Sequence, residues 1–166
     1  MRVVILDIDW VLTSWRTALA DMPVPGWDPV ACRMMSWLLN GADARFVICG
    51  AWREARTRHQ MLALLEEGGL PAARLHSDWA TPEADGRAGE IMAWLATHVD
   101  VREWCVIDNG IGLVETLAAR WVETDPDHGL SLDNVLRACA LLEWDAQEAL
   151  TQGGGLRPAV AERMKL

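Results

Sequence analysis

Two acidic residues, Asp7 and Asp9, lie two positions apart at the end of a short apolar run. Alternate residues of an extended chain point to the same side, so both carboxylates are expected to face one surface. Neighbouring carboxylates repel one another unless a cation neutralises them, and Mg²⁺ prefers carboxylate and phosphate oxygens. The pair is therefore a candidate magnesium site for phosphate chemistry. Taken alone, an Asp-x-Asp pair more often caps a strand or turn, and the accompanying segments decide for the functional interpretation.

Three short apolar runs end at positions that could form one site. The runs cover residues 3–7, 46–49 and 104–108, and they end at Asp7, Cys49 and Asp108. Runs rich in Val and Ile are typical of strands buried on both faces of a parallel sheet. Ligands of such sheets bind beyond the carboxyl ends of the strands. We therefore expect Asp7 and Asp108 to meet at one edge of the sheet.

Helical patterns alternate with these strands. The first begins at Asp28-Pro29, a helix cap followed by proline, and ends near Asn40-Gly41. Further helices are predicted over residues 54–67, 87–98 and 113–119 and from residue 131, with shorter strands at 74–76 and 120–123. This alternation predicts an α/β fold, a doubly wound parallel sheet of about five strands in three α/β/α layers. We expect one domain over residues 1–152 and a glycine-initiated tail over 153–166.

Composition narrows the function classes. The chain has 166 residues with 51% hydrophobic residues, and its formal net charge is -9. It has no apolar run of about 18 residues and no secretory signal, so we predict a cytoplasmic protein without a membrane partner. The four cysteines lack metal-type spacing and are expected to be buried as small hydrophobic residues. The negative charge repels nucleic acid, which would need a local basic patch to bind.

The order of these motifs resembles the haloacid dehalogenase (HAD) superfamily. The closest resemblance is to the HAD domain of "Swiss Army Knife" RNA repair proteins, and it extends over residues 3–130. The segments that carry it are LDIDWVLTSWR, FVICGAWR, RAGEIMAWL, WCVIDN and VETDPDHGL. The resemblance implies a HAD-like Rossmannoid fold and a Mg²⁺-dependent phosphatase that hydrolyses a phosphomonoester through an aspartyl-phosphate.

The resemblance also implies roles for individual residues. Asp7 resembles the nucleophile that attacks phosphorus, and Asp9 resembles the general acid and base. Arg87 resembles the cation that offsets charge on the phosphoryl group. Mg²⁺ would be held by Asp7, the backbone carbonyl of Asp9 and Asp108.

Two departures from the family pattern affect substrate binding. Trp10 replaces the glycine that usually follows the second aspartate, so it could narrow the site or supply a stacking face. Cys49-Gly50-Ala51 lacks the usual Ser or Thr hydroxyl, and the N–H groups of Gly50 and Ala51 are the expected substitutes. Arg53 adjoins the same strand end and is the fourth predicted substrate-binding residue, beside Trp10, Gly50 and Ala51.

The two positions at which family members insert a cap domain are short here. They lie between residues 12 and 28 and between residues 78 and 87. The resemblance therefore implies a capless, open site that suits a bulky phosphorylated substrate, such as a nucleic-acid end or a phosphoprotein, or closure by a second copy in a homodimer. A catalytically weak or inactive binding module is the alternative. A CheY-like receiver is disfavoured because its acceptor Asp follows a later strand.

Overall fold

The computed structural model describes residues 1–20, 25–54, 56–110 and 115–146. Its five strands are β1 (Arg2–Leu6), β2 (Ala44–Ile48), β3 (Leu75–Ala80), β4 (Glu103–Asp108) and β5 (Trp121–Glu123). Its α-helices are α1 (Trp15–Leu19), α2 (Pro29–Gly41), α3 (Arg58–Glu67), α4 (Gly86–Thr97) and α5 (Leu132–Leu141). Short 3₁₀ helices cover Ala51–Arg53, Ala72–Arg74 and Glu115–Arg120.

The strands form one parallel sheet in the order β3-β2-β1-β4-β5. The chain moves outward from β1 to β3 and then crosses to β4 on the other side of β1. The direction of winding therefore changes between β1 and β4, and ligands of open α/β sheets bind at such a switch point. In the sheet Leu6 of β1 is aligned with Ile107 of β4, which brings the residues that follow these positions to one edge.

Alternate strand residues feed two separate hydrophobic cores. One core joins Val4, Leu6 and their neighbours on the same face to α2, α3 and α5. The other joins Val3, Ile5 and their neighbours to α4. Burial on both faces explains why β1 reads as a continuous apolar run rather than an alternating one. The doubly wound three-layer α/β/α sheet predicted from the sequence is confirmed.

Several predicted boundaries differ from the observed ones. The helix predicted over 54–67 begins at Arg58, because Thr57 and Gln60 form a capping box that fixes the first turn there. The segment predicted as a helix over 113–119 is a 3₁₀ helix from Glu115, and residues 111–114 lie outside the described residues. The five-residue helix α1 was not predicted.

The cap positions are short in the structure as well. Between residues 12 and 28 the described part holds α1, and residues 81–85 join β3 to α4, so the fold is capless as predicted. All four cysteines are buried and free. In the described part of the chain, no helix has the length and apolar character needed to cross a membrane. The predicted tail 153–166 lies outside the described residues.

Candidate active site

Asp7 is the first residue beyond β1, at the switch point of the sheet. Its backbone N–H donates to the Ile107 carbonyl at 3.0 Å, and its Oδ1 accepts from the Ile8 N–H at 2.9 Å. The residue is 6% exposed, Ile8 is fully buried in the core, and Asp9 is half-buried. Ile8 therefore packs in the core between the two acids, and Asp9 lies in the turn that follows the strand.

Asp108 and Arg87 complete a compact charged group with Asp7. Asp108 is the last residue of β4 and is fully buried, and its Oδ1 accepts from the Gly110 N–H at 3.0 Å. Nη1 of Arg87, in the first turn of α4, donates to Oδ2 of Asp108 and lies 3.4 Å from Oδ2 of Asp7. Carboxylate oxygens from two neighbouring strands thus meet at one guanidinium nitrogen.

The carboxyl groups of this site are held at an electrostatic cost. Burial raises the pKa of Asp7 to about 6; Arg87 opposes this shift, and the charges of Asp108 and Asp9 add to it. Burial also raises the pKa of Asp108, against the opposing effects of Arg87 and the Gly110 N–H. Positive charge is therefore required here if both groups are to remain ionised at neutral pH.

Gly50 packs directly against this charged group. It follows β2 with a φ of 77°, a left-handed conformation that favours glycine. A Cβ at this position would lie 2.7 Å from Nη2 of Arg87 and 2.9 Å from Oδ1 of Asp7. Ala51 begins the 3₁₀ helix and is exposed, and the Arg53 N–H donates to the Gly50 carbonyl at 3.3 Å. The structure thus places Gly50 and Ala51 beside the charged group, and anion binding by their N–H groups stays a prediction.

Arg53 is engaged by protein groups rather than left open. Its side chain is 8% exposed, and Nη2 lies 2.5 Å from Oε1 of Glu90 while Nε donates to Oγ1 of Thr81 at 3.2 Å. A weaker pair joins it to Glu54 at 3.6 Å. Glu90 and Thr81 were missed in the sequence, although Glu90 lies one helical turn after Arg87. The structure thus links Arg53 to α4 and to the end of β3.

Trp10 keeps the backbone shape expected of glycine. Its φ is 60°, its N–H donates to Oγ1 of Thr13 at 3.1 Å, and its carbonyl accepts from Oγ1 of Thr124 at 2.9 Å. The indole packs on that of Trp15, with ring centroids 4.9 Å apart. Thr124 also contributes to an adjoining cleft of about 420 Å³. The cleft is lined by Asn109, Glu123, Thr124, Asp125 and Pro126.

The oxygen donors of the site fit a divalent cation in part. Among the residues that the structure describes, no three His, Cys, Asp or Glu side chains are grouped to hold a metal ion. The Oδ2 atoms of Asp7 and Asp108 nevertheless converge on one cationic nitrogen, and Mg²⁺ commonly uses one or two carboxylates completed by water and phosphate oxygens. Two carboxylates completed by water and phosphate oxygens therefore fit the ion better than three carboxylates.

Comparison with known proteins agrees with the fold and the motif order. A family model described as "HAD domain in Swiss Army Knife RNA repair proteins" matches residues 3–135, a range that runs from β1 into α5 and includes Asp7, Arg87 and Asp108. No curated protein and no solved structure matches the chain. Because the family match spans most of the chain, the protein belongs to the HAD domains of Swiss Army Knife RNA repair proteins.

Proposed function

We propose that this HAD domain is a Mg²⁺-dependent phosphomonoesterase that uses Asp7 as its nucleophile. The observation that carries the proposal is the convergence of Asp7 and Asp108 on Arg87 at the switch point of the sheet. Phosphoryl transfer needs little more than positioning and positive charge around the transferred group. Mg²⁺ bound by Asp7, Asp108 and the Asp9 carbonyl would supply Lewis-acid stabilisation of the phosphoryl oxygens.

In the first step, an Asp7 carboxylate oxygen attacks phosphorus and the bond between phosphorus and the leaving oxygen breaks. Asp9 donates a proton to that oxygen, so the alcohol leaves neutral and Asp7 carries the phosphoryl group. Arg87 stabilises the developing negative charge. Because Arg87 contacts both carboxylates, it also opposes the burial and the charge repulsion that raise the pKa of Asp7.

In the second step, Asp9 accepts a proton from a water molecule, and the oxygen of that water attacks the phosphorus atom bound to Asp7. The bond between phosphorus and the Asp7 oxygen breaks, which releases inorganic phosphate and restores the free carboxylate. The N–H groups at the start of the Ala51–Arg53 turn stabilise the phosphoryl oxygens in place of the missing hydroxyl. Asp9 thus serves as acid and then as base within one cycle.

The substrate that we propose is a phosphate on a bulky group, with the phosphorylated end of an RNA as the leading candidate. Two facts support this choice: the family is named for RNA repair proteins, and the fold is capless. The net charge of -9 opposes long-range attraction of a polyanion. Recognition would therefore be confined to the terminal phosphate and the groups next to it.

The activity is tested with p-nitrophenyl phosphate. We expect Mg²⁺-dependent turnover that EDTA abolishes and that Asp7→Asn lowers by at least about 10³-fold, because the nucleophile is lost. Asp100→Asn removes one negative charge from an exposed position and is the matched control. Equal turnover by wild type and Asp7→Asn would contradict the proposal.

Metal binding is tested apart from turnover, by thermal unfolding with and without Mg²⁺. A ligand that binds the native state at 100 times its Kd adds about 2.7 kcal/mol to the free energy of unfolding. We expect Asp108→Ala to remove this Mg²⁺-dependent increase and Asp100→Asn to retain it. An increase that survives Asp108→Ala would place the metal elsewhere.

The second candidate function is a binding module that holds a phosphate group without hydrolysing it. The observation that favours it is the Cys49-Gly50-Ala51 segment, which has no hydroxyl to position a phosphoryl oxygen. Losing one preorganised donor can lower a rate by roughly 10²–10³-fold. Mg²⁺-dependent binding of inorganic phosphate without turnover of any phosphoester would support this alternative.

A further inference from the structure

We infer that Trp10 and Trp15 form a stacking platform for a planar ring carried by the leaving group. This inference rests on the proposed function and adds to it a chemical class of substrate, a nucleoside phosphomonoester. Trp10 follows the proposed acid and base directly. Its indole lies at a centroid distance of 4.9 Å and a 34° tilt from that of Trp15, which is 49% exposed.

The backbone of Trp10 is the first argument for the platform. A φ of 60° is unfavourable for a bulky side chain and natural for glycine. Such strain persists where surrounding contacts hold it, and here Thr13 and Thr124 bind the N–H and carbonyl of Trp10. The fold thus presents a large aromatic ring at a position that would be relaxed with glycine.

The second argument is rigidity. Trp15 begins α1, whose first turn is closed by a hydrogen bond from the Ser14 N–H to Oγ1 of Thr17 at 3.0 Å, and its own N–H donates to the Pro126 carbonyl at 3.1 Å. Both rings are therefore attached to fixed backbone. A preorganised surface loses little conformational entropy when a ring stacks on it, and every nucleobase has a face that can stack.

The third argument is charge. The adjoining cleft contains the exposed carboxylates of Glu123 and Asp125, which repel a second phosphate and can accept hydrogen bonds from sugar hydroxyls or amino groups. The chain as a whole carries a net charge of -9. Stacking does not depend on charge, so it suits an acidic protein that must hold the uncharged part of its substrate. The ring is therefore expected next to a single phosphate.

The test compares two substrates in which the phosphate is attached to the same primary hydroxyl of a ribose. Adenosine 5′-monophosphate carries a base, whereas ribose 5-phosphate does not. We expect Trp15→Leu to lower the ratio of their kcat/KM values about tenfold, the scale of one lost base–aromatic stack. Trp15→Phe keeps a ring and should retain most of the ratio. Leu19→Ala, at an 82% exposed position of the same helix, is the matched control and should leave the ratio unchanged.

A ratio that Trp15→Leu leaves within twofold of wild type would overturn the platform. If wild type hydrolyses neither compound, binding decides the platform. By calorimetry on Asp7→Asn, adenosine 5′-monophosphate should bind about tenfold more tightly than ribose 5-phosphate, and adding Trp15→Leu should abolish that preference. Equal affinities, or no binding of either compound, would overturn the inference.

A further pair of substrates identifies the source of the ring. A free nucleotide and the end of a strand present the same base beside the same phosphate. We expect a 5′-phosphorylated RNA decamer and adenosine 5′-monophosphate both to lose kcat/KM in Trp15→Leu. The compound with the larger wild-type kcat/KM is the one that we assign as the substrate. If Trp15→Leu lowers kcat/KM for neither compound, the platform is overturned.

Discussion

Gly50 and Trp10 occupy two loops beside Asp7, and both have left-handed backbone conformations, with φ of 77° and 60°. At Gly50 the space for a Cβ is already taken by Arg87 and Asp7. At Trp10 the side chain packs on Trp15. The same backbone requirement is therefore met by the smallest residue in one loop and by the largest in the other.

The difference shows which side of the site is fixed by packing. A left-handed non-glycine residue costs roughly 1–2 kcal/mol, an amount that ring packing and the hydrogen bonds of Thr13 and Thr124 can offset. No such compensation is available at Gly50, because a Cβ there would overlap the charged groups themselves. We conclude that the Gly50 side of the site is sterically constrained, whereas the Trp10 side can vary.

The strongest test of this comparison is Gly50→Ala. The added Cβ must displace Arg87 or Asp7, and a shift of about 1 Å in catalytic groups can lower a rate by about 10²-fold. We expect kcat for p-nitrophenyl phosphate to fall by at least that factor. Gly69→Ala is the matched control, since Gly69 has a φ of 72° and no atom within 4 Å of its Cβ position.

Both variants place alanine in a left-handed conformation and should lose about 1 kcal/mol of stability for that reason alone. The loss of activity should be confined to Gly50→Ala. If the two variants lose equal activity, backbone strain rather than steric overlap would explain the effect, and the contrast with Trp10 would disappear.

A second test concerns the charge that the Gly50 side of the site must hold. Arg87→Met leaves the buried carboxylates of Asp7 and Asp108 without their cation, a change that costs about 3 kcal/mol in comparable buried pairs. We expect that loss in urea unfolding at pH 7.5 with EDTA, and a partial recovery with Mg²⁺. Arg102→Met, at an exposed position, is the control.

The sign of the pH dependence follows from the raised pKa of Asp7, about 6 in the presence of Arg87. An acid with a raised native pKa binds more protons in the folded state, so its folded state gains stability as the pH falls through that value. The deficit of Arg87→Met should therefore shrink between pH 7.5 and pH 5. A deficit that grows over this interval would mean that the carboxylates are not its cause.

The smallest expected effects come from restoring the family residues. Trp10→Gly removes the backbone strain and the indole that follows Asp9, and Ala51→Ser adds a hydroxyl to the loop after β2. Ala51→Ser should raise kcat/KM for p-nitrophenyl phosphate several-fold, and Trp10→Gly should raise kcat/KM for ribose 5-phosphate, which carries no aromatic ring, by a similar factor, since one aligned donor or one removed obstruction is involved. If neither changes the rate while Asp7→Asn abolishes it, the phosphate is bound by a different arrangement.

Trp10→Gly should also lower the preference for adenosine 5′-monophosphate over ribose 5-phosphate, because half of the platform is removed. The same substitution should therefore raise kcat/KM for the substrate without a ring and lower the preference for the substrate that carries a base. An equal rise in kcat/KM for adenosine 5′-monophosphate and ribose 5-phosphate would show that Trp10 obstructs the site without contributing to recognition.

The sequence determined the fold class, the parallel strands, most helices and the meeting of Asp7 with Asp108. These features follow from local rules: a run buried on both faces is apolar throughout, Asp28-Pro29 caps a helix, and parallel strands end at one edge. The start of α3 was predicted at residue 54 and lies at Arg58, because the 3₁₀ turn and the Thr57 cap compete with the apolar pattern.

Only the tertiary structure decided how the side chains share space and charge. Arg87 lies more than 70 positions from Asp7 along the chain, and its contact with both carboxylates depends on the crossover from β3 to α4. The engagement of Arg53 by Glu90 and the pairing of Trp10 with Trp15 also depend on distances that no residue pattern encodes. Sequence patterns record which residue types a local backbone tolerates, whereas packing between separate elements fixes which atoms meet.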